Sequence, residues 1–150
     1  MVNQQLTIEK FFIGKILNMP EYQRSYTLEK QNVRNFIKDM NKSLETNSNH
    51  YIVAVVLAKT TTQDNYNIVD GQQRLTTILM MMNVLILRLK DKEDVDYYKR
   101  LYIFDKNYDK YKLTPLSRDV NYFFKLLQEN INAEPNSRSQ RYLKKFMKKL

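Results

Sequence analysis

The sequence predicts an α/β fold, because short apolar segments with strand character alternate with longer segments of helical periodicity over 150 residues. Three segments have strand character, and they cover residues 15–19, 51–59 and 66–69. The segment after Gly71 has helical periodicity and is apolar on most sides, as expected of a helix at the centre of a fold. The length fits one domain, or a core with a helical part appended to it.

The first half of the chain begins with a strand, a polar loop and an amphipathic helix. Lys15 to Met19 is the predicted strand; it ends at Pro20, and a loop of polar and aromatic residues follows. Thr27 is a suitable N-cap for the next helix. The apolar residues of this helix recur at helical spacing and are Val33, Phe36, Ile37, Met40 and Leu44.

Two strands and the central helix come next. Residues 51–59 are β-branched and apolar without alternation, which predicts a strand covered on both faces. Tyr66 to Val69 is the following strand, and the helix after Gly71 runs to Leu89. The apolar face of this helix is formed by Leu75, Ile78, Leu79, Met82, Leu85, Ile86 and Leu89.

Beyond Lys90 the composition changes to charged and aromatic residues. DKEDVDYYKR is a charged connector or a helix, and YKLTP is extended because Pro115 disfavours a helix before it. Residues 117–128 are predicted as a helix, and the basic tail repeats its apolar spacing up to the last residue. The apolar positions of these two segments are Val120, Phe123, Phe124, Leu127, Leu143, Phe146, Met147 and Leu150. We therefore expect a core, residues 1–90, and a helical extension, residues 91–150, that packs on the core and ends in a truncated helix or a docking surface.

Composition excludes several classes of protein. There is no cysteine, which removes disulfides, thiolate metal sites and thiol nucleophiles and suits a reducing cytoplasm. His50 is the single histidine, so we expect no histidine-based triad or metal cluster and interpret His50 as a surface or strand-start residue. The N-terminus lacks a signal-peptide pattern, and the longest apolar run, residues 78–87, is too short to cross a membrane. We expect a cytoplasmic protein with no membrane partner.

The formal net charge of +9 is concentrated near the C-terminus. Between Arg138 and Lys149 the sequence has two arginines, four lysines and no acid. This excess suggests a polyanionic partner, and Lys144, Lys145 and Lys148 are candidate DNA-binding residues. The alternative is a solvated face of a surface helix.

The stretch NYNIVDGQQRLTT places polar residues at the junction of a strand and a helix. Asp70 ends the strand, Gly71 permits a left-handed turn, and the N–H groups of residues 72–74 open the helix. Unpaired N–H groups at a helix start form an anion site, to which Arg74 would add a bidentate phosphate donor. The alternative is a plain helix start, with Asp70 as the cap, Gly71 as a turn residue and Arg74 as an exposed cation.

Four further side chains accompany this turn. Gln72 and Gln73 could orient a water molecule or read the edge of a base. Thr76 and Thr77 lie one turn further along, where a hydroxyl could reach a phosphate or a metal-bound water. Glutamines do not help packing, and an arginine is poorly placed at the positive end of a helix, so this composition favours a ligand site.

A second polar segment, Tyr22 to Tyr26, follows Pro20. Arg24 lies between tyrosines, and an arginine so placed can stack on a base or hold a phosphate. The alternative is an exposed cation in a surface loop.

Together these segments resemble the N-terminal domain of the GmrSD-type restriction proteins, whose core fold is similar to that of ParB and sulfiredoxin. The resemblance rests on four stretches in order between residues 8 and 128: PEYQRSYT, HYIVAVVL, YNIVDGQQRLTTI and KLTPLSRD. DGQQR after a strand, with Tyr-Gln-Arg upstream of it, is the most specific part.

The resemblance implies a ParB-like core with a small sheet and a central buried helix. It also implies bacterial defence against foreign or modified DNA, with a nucleoside triphosphate (GTP or another) and Mg²⁺ bound at DGQQR. Cleavage would belong to a separate nuclease domain or partner, since nothing in the sequence resembles an HNH nuclease. Matched residue by residue to the family motif, the nucleotide site would consist of Asp70, Gly71, Gln72, Gln73 and Arg74. Gln23 and Arg24 would face this site, and Tyr22 and Gln23 would be candidate DNA contacts.

The sequence departs from the family pattern at two places. Leu28 stands where the family usually has tryptophan, and Val53-Ala54-Val55 replaces a segment that usually contains glycine. A side chain in place of that glycine narrows the space beside the site. Sulfiredoxin chemistry needs a cysteine and is excluded.

We therefore expect a defence module that binds a nucleoside triphosphate, with hydrolysis left open. In the hydrolytic case Arg24 and Arg74 hold phosphates, Gln72 or Gln73 positions the attacking water, and Asp70 holds the metal or fixes the turn. One alternative is a DNA-sensing module that does not hydrolyse nucleotide; the other is an interaction subunit that docks a nuclease through the basic helix. A homo-oligomer is compatible with each.

Overall fold

A computed structural model describes residues 4–47, 49, 51–116, 119–127, 134–135 and 137–148. The remaining positions include His50, Leu150 and the ends of the predicted helix 117–128, so those expectations lie outside the described residues. The same holds for the side chains of Phe124, Leu127, Phe146 and Met147.

The fold is α/β, as the sequence predicts. Its helices are α1 (Ile8–Phe12), α2 (Lys30–Thr46), α3 (Gln72–Ile86), α4 (Lys92–Tyr102), α5 (Val120–Leu127) and α6 (Arg138–Met147). Its strands are β1 (Ile16–Asn18), β2 (Val56–Lys59), β3 (Asn65–Asp70), β4 (Phe104–Asp105), β5 (Lys110–Tyr111) and β6 (Leu113–Thr114).

Four strands form a mixed sheet in the order β2-β3-β1-β6. β1 is parallel to both β3 and β6, while β2 is antiparallel to β3 with a shift of register between Val56 and Leu57. β4 and β5 form a separate antiparallel pair. Because β1, β3 and β6 are parallel, the segments that follow them leave from one edge of the sheet.

α3 is the central buried helix that the sequence predicts. Most of its residues are buried, including Leu75, Ile78, Leu79, Met80 and Val84. α4, α5 and α6 contact it, and α2 contacts α6. Apolar side chains on nearly every side of α3 therefore find protein to pack against, which is why its pattern is apolar all round.

The structure corrects several details of the predicted elements, and for the stretch after Lys90 it decides between the predicted connector and the predicted helix. The strand predicted over residues 51–59 begins only at Val56, lies at an edge of the sheet and is half exposed, so it is not covered on both faces. α2 has Glu29 rather than Thr27 as its N-cap. α3 ends at Ile86, and Leu44 and Leu89 are exposed. The charged stretch after Lys90 is the helix α4, capped by the side chain of Asp91.

The predicted boundary at residue 90 stays a prediction. The four-stranded sheet takes β6 from beyond that residue, since Leu113 lies opposite Leu17 in the parallel pair. α5 and α6 also contact α3.

Candidate functional site

Three chain segments leave the carboxyl edge of the parallel strands and meet beside the start of α3. The first follows β1 and carries Gln23 and Arg24, the second is the turn at Gly71 after β3, and the third leads from β6 to Asp119. Ligands of open α/β sheets bind at this edge, outside the carboxyl ends of the strands.

Gly71 makes the turn between β3 and α3 with φ +90°. Its N–H donates to the Asp70 side chain (2.8 Å), and its carbonyl accepts from the N–H of Leu75 (3.0 Å), the first hydrogen bond of the helix. A Cβ at this position would lie 2.5 Å from the carbonyl oxygen of Ala54. Glycine is therefore required both by the left-handed backbone and by the close approach of residues 54–55.

The start of α3 has no side-chain cap, and its first turn has no acidic residue. The N–H groups of Gln72, Gln73 and Arg74 have no acceptor within the helix, because the preceding turn is missing. These donors and the helix dipole favour an anion at this end.

Three glutamine amides join the loop after β1 to the β3–α3 junction. The Gln23 amide donates to the carbonyl of Val69 (2.9 Å), and the Gln72 amide donates to the carbonyl of Arg24 (3.2 Å). The Gln73 amide donates to the carbonyl of Ser25 (3.0 Å) and accepts from the N–H of Thr27 (2.8 Å). We call this arrangement the amide clasp. It holds Arg24 beside the start of α3, and it uses both polar atoms of the Gln73 side chain.

Gln72 keeps one polar atom available. The residue is only 5% exposed, and its Oε1 atom has no hydrogen-bond partner among the described residues. A buried acceptor without a partner costs about 1–3 kcal/mol. A ligand hydroxyl or N–H that reached this oxygen would remove the penalty.

A groove of ≈ 790 Å³ runs from this junction along α2. Arg24 and Arg74 line one end, both are exposed, and neither forms an ion pair with a carboxylate in the described part of the chain. The rest is lined by residues before and within α2 and by the segment 51–54: Thr27, Leu28, Glu29, Asn32, Val33, Asn35, Phe36, Asp39, Tyr51, Ile52 and Ala54. The carboxylates of the lining are Glu29, Asp39 and Asp70. One end of the groove therefore carries unpaired positive charge, and the other combines apolar walls with polar groups.

Thr76 and Thr77 are both buried in the first turns of α3. The Thr77 hydroxyl is 2.9 Å from the Tyr26 hydroxyl and donates to the carbonyl of Gln73 (2.9 Å). Burial is the main cause that raises the pKa of Tyr26, so this phenol stays protonated. Thr77 lines the groove, whereas Thr76 is not among the lining residues that the structure describes.

The same buried network reaches the C-terminal helices. The N–H of Tyr26 donates to Oδ2 of Asp119 (3.1 Å), and the Gln140 amide donates to Oδ1 of the same carboxylate (3.3 Å). Tyr122 donates to the carbonyl of Gln140 (3.1 Å), and burial raises its pKa to about 12. Asp119 thus fixes the site loop from the side of α6.

The remaining predicted residues lie outside the groove lining of the described chain. Tyr22 is 74% exposed on the loop after β1. On α6, Lys144 is half buried and pairs with Glu134 (3.5 Å), and Lys145 is exposed. Lys148, just beyond that helix, is also exposed. Their assignment to DNA stays a prediction.

Sequence reasoning missed two sets of residues. Asn32, Asn35 and Asp39 line the groove from α2, and their spacing of three and four residues is the signal that could have placed them on one side of a helix. Asp119 and Gln140 meet only in the folded chain, and their separation in sequence carries no signal.

No group of three metal-ligating side chains is present among the described residues. Mg²⁺ in nucleotide sites is bound by one or two carboxylates together with substrate phosphates. Asp70 is exposed and has one oxygen engaged by Gly71, so its second oxygen fits that role.

The fold and the site define an α/β domain whose central helix begins, without a side-chain cap, in a groove lined by two exposed arginines. Residues 8–150 match the family described as the GmrSD restriction endonuclease, N-terminal domain. The chain belongs to this family, which confirms the resemblance read from its motifs and identifies a restriction-type defence module. No curated protein matches the sequence. In the described part of the chain, no helix is long and apolar enough to span a membrane.

Proposed function

We propose that the groove at the start of α3 binds a nucleoside triphosphate. The observation that carries this proposal is the buried Oε1 of Gln72, which has no partner among the described residues, in one groove with two arginines that have no carboxylate partner in the same part of the chain. The buried oxygen of Gln72 is costly for the free protein, and the exposed arginines are free to bind an anion, so a ligand that carries phosphates and polar hydrogens would engage both kinds of group.

The phosphates would lie against the first turn of α3. The N–H groups of residues 72–74 supply donors, and Arg24 and Arg74 supply charge. The amide clasp holds the backbone of Arg24 in place by its carbonyl, so the loop is organised before the ligand arrives. Asp70 would hold Mg²⁺, which neutralises phosphate charge when bound.

The nucleoside would lie along α2. Phe36 and Tyr51 offer aromatic surface for a base, and Asn32 and Asn35 offer hydrogen bonds to its edge. Oε1 of Gln72 would accept a hydrogen bond from a ribose hydroxyl, a base N–H or a water molecule.

The two glutamines differ in what they could do in hydrolysis. Both polar atoms of Gln73 are engaged by the backbone of Ser25 and Thr27. Gln72 retains a free acceptor that could orient an attacking water. We therefore assign to Gln73 the role of holding the loop after β1, and to Gln72 the role of orienting the attacking water.

A second candidate function is DNA sensing without hydrolysis. Tyr22 is exposed and lies outside the groove lining, next to Gln23 and Arg24 on the loop after β1, where an aromatic side chain could stack on a base. Affinity for DNA with steep salt dependence and no effect of nucleotide would favour it.

Cleavage of DNA would fall to a nuclease domain or partner outside residues 1–150. The basic helix α6 is our candidate docking element for it. Lys145→Glu combined with Lys148→Glu, both at exposed positions, would then abolish partner binding and leave nucleotide binding intact. Removal of residues 136–150 is unsuitable as a test, because it would also remove the buried Leu143 and the Gln140 amide that donates to Asp119.

The test is titration of each Mg²⁺-nucleoside triphosphate into the wild type, Arg74→Ala and the control Arg88→Ala, which removes an exposed arginine beyond the far end of α3. We expect Arg74→Ala to weaken binding about 10- to 100-fold, the effect of losing a charge-assisted hydrogen bond, and the control to bind normally. Phosphate release would then decide between hydrolysis and binding alone. Absence of binding to the folded wild type would overturn the proposal.

A further inference from the structure

α2 carries a row of four cations on a side different from the one that lines the groove. Lys30, Arg34, Lys38 and Lys42 recur every fourth residue, and all four are exposed. We call this row the α2 basic stripe. The groove side of the same helix carries Asn32, Asn35 and Asp39 instead.

The stripe consists of three successive like-charge pairs at i, i+4 spacing. Like charges at this spacing destabilise a helix, because the side chains are neighbours on its surface. In the described part of the chain none of the four forms an ion pair. Asp39 and Glu45, each three residues from Lys42, offset part of the repulsion at the C-terminal end of the row. The remaining excess of positive charge is what a polyanion would neutralise.

The helix α4 shows the ordinary arrangement of an exposed helix. At the same spacing its charges alternate in sign, with Lys92, Asp96 and Arg100 in one row. Opposite charges at i, i+4 stabilise a surface helix. The two helices have similar exposure, so exposure alone does not account for the row of four cations on α2.

The geometry of the stripe fits an extended anion better than a compact one. Its charges are spaced about 6 Å apart along a line of about 18 Å, from the rise of an α-helix. A small anion needs donors that converge on one point, whereas the phosphates of a nucleic-acid duplex form a line. A membrane-surface helix would turn its apolar side to lipid, but in α2 Val33 is buried and lines the groove together with Phe36.

We infer that the α2 basic stripe contacts the phosphate backbone of duplex DNA. The contact is independent of sequence, because phosphate contacts position a protein without reading bases. It goes beyond the nucleotide site and does not depend on it, since the stripe and the groove use different sides of α2.

The experiment compares two variants with the same loss of charge. The stripe variant carries Lys30→Gln, Arg34→Gln, Lys38→Gln and Lys42→Gln. The control variant carries Lys90→Gln, Lys92→Gln, Lys106→Gln and Lys110→Gln, all at exposed positions outside α2. Binding to a fluorescent DNA duplex is measured by anisotropy at several salt concentrations between about 50 and 200 mM, the range over which phosphate contacts change affinity strongly.

For the wild type we expect log K to fall linearly with log salt concentration. The slope should be about 3.6 units shallower in the stripe variant, because each of the four lost phosphate contacts removes about 0.9. The control variant should change the slope by less than about 1 unit. Nucleotide affinity of the stripe variant should match the wild type, which separates a failure here from a failure of the nucleotide proposal.

Several outcomes would overturn the inference: no duplex binding by the wild type, equal slopes in the two variants, or stripe-dependent binding to phosphatidylserine vesicles but not to DNA. Far-UV circular dichroism checks folding. If the fourfold variant does not fold, Arg34→Gln and Lys38→Gln are tested singly, each with an expected change of about 0.9 in slope.

Discussion

The two ends of the parallel strands differ in whether their charged side chains are paired and buried. At the amino edge, Lys112 is 3% exposed, and its Nζ pairs with Oδ2 of Asp105 (2.6 Å) and also donates to the carbonyl of Phe12 (3.4 Å). At the carboxyl edge, Arg24 and Arg74 are exposed and have no carboxylate partner in the described part of the chain. The charges of the first arrangement are paired inside the fold, whereas those of the second are exposed and accessible to a ligand. Charge that holds the fold can thus be separated from charge that is free to bind.

The amino edge has further satisfied groups. Tyr108 donates to Asp64, and the Asp64 carbonyl accepts from the N–H of Ile16 (2.8 Å). Burial is the main cause that lowers the pKa of Lys15, followed by the nearby charge of Lys112. We see no unpartnered buried side-chain atom among the residues named here, in contrast to Gln72 at the other edge.

The largest effect should come from breaking the buried ion pair. Asp105→Ala leaves the Lys112 ammonium buried without its counter-charge, and we expect it to lower the free energy of unfolding by about 3–5 kcal/mol. Urea unfolding followed by circular dichroism measures the loss. Asp96→Ala, an exposed carboxylate on α4, is the matched control and should change stability by less than about 0.5 kcal/mol. A loss below 1 kcal/mol for Asp105→Ala would mean that water reaches the Lys112 site.

Acid sensitivity gives an independent check of the same pair. Burial acts to raise the pKa of Asp105, but hydrogen bonds from Lys112 and the Asn107 N–H outweigh it, so the pKa lies below its ordinary value of 3.8. A carboxyl whose pKa is lower in the folded state than in the unfolded state stabilises the fold when the pH is above the unfolded-state pKa. This stabilisation is lost as the pH falls through the folded-state pKa. The unfolding free energy of the wild type should therefore fall more steeply below pH 3.8 than that of Asp105→Asn.

The next largest losses of stability are expected at the two glycines of the chain, which lie near opposite edges of the parallel strands. Gly71→Ala combines a left-handed backbone with a Cβ 2.5 Å from the Ala54 carbonyl oxygen. We expect it to destabilise by about 3 kcal/mol, from backbone strain and overpacking together. Gly14 has φ +64°, but a Cβ added there would have no atom within 4 Å, so Gly14→Ala should cost about 1 kcal/mol from backbone strain alone. Equal losses in urea unfolding would show that residues 54–55 move aside.

A smaller effect is expected at the buried network behind the site. Tyr26→Phe removes the hydroxyl that lies 2.9 Å from Thr77, whose own hydroxyl still donates to Gln73. We expect a loss of about 1 kcal/mol, the net value of one hydrogen bond. Tyr22→Phe at an exposed ring is the control and should leave the urea midpoint unchanged. A Tyr26→Phe variant as stable as the wild type would contradict the role given to this contact.

The smallest change in the free energy of unfolding should come from substitution of Arg74, which lines the groove. Arg74→Ala removes a cation from the positive end of a helix and breaks no ion pair with the described residues, so stability should stay within about 0.5 kcal/mol of the wild type or rise slightly. A loss above 1 kcal/mol would place Arg74 with the residues that hold the fold. The same variant is expected to bind nucleotide about 10- to 100-fold more weakly, and unchanged stability with weakened binding is the signature of a ligand residue.

Local pattern was sufficient for much of the fold. The central helix and its first residue could be predicted from the apolar residues on all sides of α3 and from the glycine before it. Burial selects apolar residues, and a positive φ selects glycine. The strand predicted over residues 51–59 was wrong in extent, because an apolar β-branched run is also compatible with an irregular segment packed at a sheet edge.

The site was predictable in place but not in detail. Asp70 to Arg74 could be located because the turn, helix start and charge are neighbours in sequence. The amide clasp could not, since Gln72 and Gln73 bond backbone groups of residues 24, 25 and 27, and any residue supplies a backbone carbonyl or N–H. The pairing of Asp105 with Lys112 was missed for a related reason, since two opposite charges seven residues apart have no preferred geometry outside a helix.

Both borders of the four-stranded sheet are poor templates for a further strand. β2 has four residues and a shift of register between Val56 and Leu57, and an irregularity of this kind twists a border strand away from a neighbour. β6 has two residues and is followed by Pro115, which has no N–H to donate. Such features protect natural sheets from edge-to-edge aggregation. Any assembly between copies of this chain would therefore form through helix surfaces rather than by extension of the sheet.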